Sequence, residues 1–302
     1  MCYGSRTAGK TIHVTETMTT DEELAKPKRA RSAPLARHIL KSDHHAFIGR
    51  VYELSIVGMN FDSWDEVNKH PDCKYALEAN EYVHALASRV ESLNLVGNLL
   101  WPKPLPTNFR DFPVSRYEWL TVALDVFLVR YVSVVDCALL LTNQVFQCGI
   151  RARNCTVETL RKKGIAPTVI AILDDMLVDQ GQLRAERNFR VHQGVERGFT
   201  QDDATFRMAA LFEHRYRGIK GEDQFGRRIN VTRFFKEALV ELQRDFNRAT
   251  RRLVRLLDTL YDQLWEEFEE RFGPLIRAAT HGLNAGAKKN RKAVDSESCS
   301  DT

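Results

Sequence analysis

Between positions 235 and 260 the residues Phe235, Leu239, Leu242, Phe246, Ala249, Leu253, Leu256 and Leu260 recur in alternating steps of four and three. On a helix that spacing draws one apolar line along the rod, and the line must be covered along its length by other helices. The pattern predicts a helix over about 232–272, closed by Gly273-Pro274. Some 40 residues at about 1.5 Å each make a rod of about 60 Å. Such a rod needs partners of comparable length.

The rest of the chain supplies them. Ser63-Trp64-Asp65-Glu66 is a capping box opening a short helix. A long helix is expected over roughly 72–99, ending before Pro102. Ser115-Arg116-Tyr117-Glu118 is a second capping box, opening a helix to about Gln147 that Gly149 closes. A short helix follows to Gly164. Pro167 in a first-turn position starts another to about Asp179, Gly181 punctuates it, and a further helix runs from Gln182 to about Glu196. Alternating β-type patterning is confined to residues 12–17. The expected fold class is all-α, an antiparallel bundle of four or five long helices with flexible termini. Residues 1–40 read as a flexible basic arm, 41–283 as the helical domain and 284–302 as a disordered tail.

Composition narrows the function classes. Apolar residues make up 43% of the 302, enough for a sizeable core. A net charge of +4 is only weak support for an anionic partner. Six cysteines without a CxxC pair signal neither a zinc site nor a disulfide framework. The most apolar stretch, 117–150, is interrupted by Asp125, Arg130 and Asp136, so no membrane span is expected. Without a charged-then-apolar leader the expected location is the cytoplasm.

Several motifs carry less than they promise. Gly4-Ser-Arg-Thr-Ala-Gly9-Lys10-Thr11 matches the phosphate-loop pattern, but no strand precedes it and β-branched residues follow it. His44-His45 has no carboxylate or cysteine partner at ligand spacing, and reads as a solvated pair before a helix. The Gly-rich segment 218–230, with three basic residues, reads as a loop. Lys26–Arg31, KPKRAR, reads as a solvated arm, with nucleic-acid contact as the sharper alternative.

Residues 184–194, RAERNFRVHQG, are different. On a helix Asn188 and His192 share a face, whereas Arg187 falls on the stripe Leu183–Arg187–Val191, whose other members are apolar. An arginine there needs an anion or a route to the rim. The cluster offers a fixed cation, an amide and an imidazole able to carry a proton. The plainer alternative is an arginine reaching out of the core or pairing with a core carboxylate, and a histidine that caps or is exposed.

The run Arg187-Asn188-Phe189-Arg190-Val191-His192 resembles the R-x4-6-H motif of the HEPN superfamily, including the polar residue after the arginine. Arg31…His38, Arg37…His44 and Arg207…His214 also satisfy R-x6-H, but the first two lie in or beside the irregular arm, and Met208 follows Arg207 where the family carries a polar residue. The resemblance covers roughly 60–272. It implies an all-helical HEPN-like domain and a metal-independent endoribonuclease without cofactors, active where two motifs meet, here across a homodimer. On that model His192 is general base or acid, Arg187 binds the scissile phosphate, Asn188 orients it, and Arg184 and Arg190 add substrate contacts. RNA is the implied partner, with a toxin or defence role and a nucleotidyltransferase-type antitoxin as further implied possibilities. The alternative is a non-catalytic nucleotide- or protein-binding scaffold of the same fold.

Overall fold

The computed structural model describes residues 35–41, 44–194, 197–280 and 282–284. The phosphate-loop match at 4–11, the basic run at 26–31 and the tail from 285 onward lie outside the described residues. In chain order the helices are α1 (Ala46–Ser55), α2 (Trp64–Val67), α3 (Pro71–Leu100), α4 (Arg116–Val145), α5 (Val157–Lys162), α6 (Pro167–Gln193), α7 (Asp203–Arg215) and α8 (Val231–Ala278). The one β feature among the described residues is an isolated antiparallel bridge between Glu222 and Arg228.

Cross-helix contacts give the directions. Trp119 Nε1 donates to the Leu99 carbonyl (2.9 Å) and Tyr75 Oη to the Val145 carbonyl (2.8 Å), so α3 and α4 run oppositely. Gln243 Nε2 donates to the Leu100 carbonyl (2.6 Å), and Tyr75 stacks on Phe268 with centroids 5.1 Å apart, so α8 runs against α3. Thr168 meets Gln263 (2.9 Å) and Asp179 meets Arg252 (2.7 Å), setting α6 against α8. The Tyr75 and Gln243 bonds are buried, so these interior polar groups are satisfied rather than left without a partner. The core proper is a single apolar cluster drawing on all four long helices, with α1, α5 and α7 contributing at its edges.

The seam of α8 lies inside this cluster. Phe235, Leu239, Leu242, Phe246, Ala249 and Leu253 are buried as the spacing predicts, but Leu257 rather than Leu256 continues the line. A strict seven-residue repeat drifts about 20° per heptad around a straight helix, so steps of four must intervene to keep facing the core. The buried sequence Leu260, Leu264, Phe268, Phe272 makes that adjustment. Gly273-Pro274 does not end the helix, which continues to Ala278. Proline removes one backbone donor, and Leu275 and Ile276, packed against the core, hold the extra turn in place.

Three further expectations are corrected. Residues 35–41 are docked rather than part of a flexible arm: Leu40 is buried, and the Trp101 indole donates to the Leu35 carbonyl (2.7 Å). Asn247 donates to the Ala36 carbonyl (2.8 Å), and the Arg37 guanidinium lies across Gly97 to reach the Asn94 carbonyl and the Asn98 side chain. Likewise α6 is one helix, passing through Gly181 and ending at Gln193, with Gly194 left-handed at φ 65°. Glycine in a helix interior costs only about 1 kcal/mol relative to alanine, and the buried residues Leu173, Met176 and Gln180 anchor the rod up to that point. His45 is not simply solvated: its Nδ1 accepts from Phe47 N (3.2 Å), capping α1, while Nε2 faces Asp262 at 3.2 Å. No helix among the described residues is long and apolar enough to cross a membrane.

Candidate functional site

The second half of α6 lies against α4, with chain directions opposed. Asp136 of α4 takes the Arg184 guanidinium, and Asp125 takes Arg190 Nε at 2.6 Å. The Arg190–Asp125 pair is lopsided: the arginine side chain is only 5% exposed and the carboxylate 47%. Both terminal nitrogens of Arg190, Nη1 and Nη2, are buried without a hydrogen-bond partner, and so is Nε of Arg187.

Arg116, at the start of α4, makes the contrast plain. Its side chain is 4% exposed, yet Nε meets Glu213 at 2.7 Å, Nη2 donates to the Thr107 carbonyl at 3.1 Å, and the guanidinium covers the Phe109 ring at 4.3 Å. An interior cation ordinarily has its donors satisfied in this way, because a buried donor without a partner costs its full desolvation penalty, more for a charged group. Arg190 departs from that rule.

Arg190 is also one of the residues lining a pocket of about 260 Å³, with Asp125, Leu128, Val129, Arg187 and Val191. Two guanidiniums against one carboxylate leave the pocket net positive. Its other walls are aliphatic, which strengthens electrostatic attraction there relative to open water. Planar guanidiniums with unused N–H groups suit an oxyanion such as a phosphate. The stripe Leu183–Arg187–Val191 thus places its arginine as its residue types require, half-buried beside apolar neighbours.

The remaining expected residues are less gathered. Asn188 and His192 lie exposed on the outer face of α6, outside this lining, and neither is bonded to Arg187. Arg184 is engaged by Asp136 and Gln180 instead of entering the pocket. The competing pair on α7 has structural duties: His214 Nδ1 donates to the Phe109 carbonyl (2.7 Å) and Arg207 covers the Tyr117 ring at 5.7 Å. In the Gly-rich loop, Arg227 is tied to buried Asp223 at 2.9 Å, so that loop is not an open phosphate cradle. Among the described residues no group of three or more His, Cys, Asp or Glu is placed to hold a metal ion.

Asp125 is the member that sequence reading passed over. Its signal was visible as a carboxylate interrupting the apolar run of α4, which has to face either solvent or a cation. On the opposite flank of α6, Glu186 faces Arg197 at 3.2 Å; burial pushes its carboxyl above the ordinary value, with Arg197 pulling the other way. Comparison with family models, curated proteins and solved structures found no match for the chain.

Proposed function

We propose that the chain is a metal-independent endoribonuclease of the HEPN type, working as a homodimer with Arg187 and His192 at its cleft. The observation that carries the reading is the pair of unpartnered Nη donors on buried Arg190 beside the Nε of Arg187. Both arginines line the same pocket, and in this reading their unused donors take the phosphate. His192 follows Arg187 by five residues on the same helix, about 7.5 Å along the axis. It is free to approach a ribose 2′-hydroxyl or a leaving 5′-oxygen on an RNA strand lying over α6. In this reading Arg187 and Arg190 hold the phosphate and neutralise charge developing on phosphorus, Asn188 orients it, and His192 transfers the proton. Attack by the 2′-oxygen forms a 2′,3′-cyclic phosphate and releases a 5′-hydroxyl.

The four long helices pairing in opposite directions support an HEPN-like bundle. A second copy would approach over the exposed apolar residues beside the pocket, Val129 and Val191, which are 46% and 59% exposed. A nucleotidyltransferase-type antitoxin would add regulation to the same activity.

The second reading is a phosphate- or nucleotide-binding scaffold without catalysis. It is favoured by one observation: Asn188 and His192 stand outside the pocket that holds the two arginines. Incubating EDTA-treated protein with RNA and with DNA of the same sequence separates the two. The ribonuclease reading expects cleaved RNA with cyclic-phosphate ends and intact DNA. It also expects a loss of about 10²–10⁴-fold in His192→Ala with no change in melting temperature. Intact RNA, or cleavage indifferent to His192→Ala, leaves the scaffold.

A further inference from the structure

Away from that pocket, α8 carries a row of like charge. Arg244, Arg248, Arg251 and Arg255 follow one another in steps of four, three and four, so they share one stripe, and all are exposed. Arg252 lies beside them and is paired with Asp179 at 2.7 Å. Arg248 comes no closer to Asp245 than 3.7 Å, and Arg255 Nε reaches only the Arg251 carbonyl, at 3.3 Å. Arg244 and Arg251 have no carboxylate partner among the described residues. Like charges at these spacings repel and weaken the helix that carries them. A solvated helix face ordinarily interleaves acids with bases; from 244 to 255 the single acid is Asp245, which turns toward Arg197 at 3.1 Å.

Beside the row, between α6 and α8, lies a groove of about 450 Å³. Arg248 and Arg252 line it together with the carboxylates Asp179, Glu186 and Asp245, Leu183 and Ala249 give it an apolar wall, and Gln182 adds an amide. This combination suits a base rather than a phosphate: an aromatic ring against the aliphatic wall, its edge to the amide and the carboxylates, and its phosphate left outside on the exposed arginines of the row.

We propose that the arginine row and the α6/α8 groove form a track for single-stranded RNA. Successive phosphates lie along Arg244, Arg248, Arg251 and Arg255, and one unstacked base enters the groove. From Arg244 to Arg255 the row spans about 16 Å at the helical rise, room for a few phosphates of a strand. Only an unpaired base can turn its edge and face into such a groove, which excludes a duplex. The groove flanks α6 on one side and the Arg187/Arg190 pocket flanks it on the other, with Asn188 and His192 on the exposed face between. A strand held on the row and crossing α6 would therefore pass His192. That the polymer is RNA rests on the ribonuclease reading; the anion track itself does not.

The test is a binding titration over a range of salt. The probes are a labelled, unstructured mixed-sequence RNA and the same RNA annealed to its complement. His192→Ala serves as the parent so that RNA survives the titration. The variant is Arg244→Gln/Arg251→Gln/Arg255→Gln, and its control is the corresponding triple lysine substitution. The glutamine variant is expected to bind the single strand at least about tenfold more weakly at low salt. Its slope of log affinity against log salt should be shallower by about 2, since each single-strand phosphate contact contributes about 0.7. Its melting temperature should be no lower than the parent's, because repulsion has been removed. The lysine control should keep the slope, and the duplex should bind at least about tenfold more weakly than the single strand. Unchanged affinity and slope in the glutamine variant would overturn the track. So would a duplex that binds as tightly as the strand. Cleavage by the unmodified protein is scored separately. Row-dependent binding without cleavage removes only the ribonuclease reading, and cleavage with row-independent binding removes only the track.

Discussion

Arg190 and Asp125 form a pair whose two halves should respond differently to removal. Asp125→Asn leaves a guanidinium that is 5% exposed without the carboxylate it is bonded to. An unpaired buried charge costs about 3–5 kcal/mol. Arg190→Met leaves instead a carboxylate that is half in water, and the methionine fills the apolar lining, so the loss should stay near or below about 1 kcal/mol. Chemical denaturation of the two variants checks the order. Inorganic phosphate should raise the melting temperature of Asp125→Asn more than that of the unmodified protein, because the anion takes the place of the missing carboxylate. No phosphate response in either protein would sink the anion pocket. This asymmetry also explains why the site was only half legible in the chain. The misplaced polarity of Arg187 in its stripe could be read locally, whereas the Arg190–Asp125 contact joins residues 65 positions apart. Asp125 by itself looked like a mere break in an apolar run.

Two glycines inside long helices show what an element's sequence can and cannot say about its neighbours. A methyl group on Gly181 of α6 meets nothing within 4 Å, so Gly181→Ala should stabilise by about 0.5–1 kcal/mol, the ordinary helical gain. On Gly97 of α3 the same methyl would run into the Arg37 guanidinium at Nε. Arg37 would have to leave the Asn94 carbonyl and Asn98, and charged hydrogen bonds of this kind are worth about 1.5–3 kcal/mol. Gly97→Ala should therefore destabilise despite its better helix propensity, and a matched pair of thermal melts tests the opposite signs. Sequence alone reads Gly181 as a break, because propensity is blind to the packing that carries a helix through. Caps were more readable. Ser115 N donates to Glu118 Oε2 at 2.7 Å and Glu118 N to Ser115 Oγ at 3.2 Å, as the capping box requires. The hydrogen bonds from the Ser115 backbone and then its hydroxyl hold the Glu118 carboxyl below its usual value. A carboxyl depressed in the folded state contributes stability above its unfolded pKa and loses it as pH falls through the folded one. Glu118→Gln should thus cost most near neutrality, with the difference from the unmodified protein vanishing in strong acid. Ser115→Ala should cost about 1 kcal/mol at pH 7.

At the scale of the whole chain, the α8 seam demanded long partner helices, and α3, α4 and α6 are those partners. Their pairing consumes the seam, so it cannot also serve a second copy of the chain. What the seam could not disclose is the docking of residues 35–41, which depends on side chains of α3 and α8 more than fifty positions away. If the protein acts as a homodimer, its contact surface must be found among exposed apolar groups. Val129 and Val191 are the ones that border the arginine pocket. Replacing both with lysine leaves the core untouched, since neither is buried, and the melting temperature of the dilute monomer should not fall. The substitutions place two cations on the proposed contact, facing their symmetry mates, and like charges brought together there oppose association. Sedimentation should then show the variant as a monomer at concentrations where the unmodified protein is dimeric. RNA cleavage should fall with the dimer fraction and partly recover as protein concentration rises, the signature of mass action. In His192→Ala the opposite separation is expected, dimers retained and cleavage lost. A monomeric unmodified protein whose specific activity does not change on dilution would remove the shared cleft, and with it the need for a second motif.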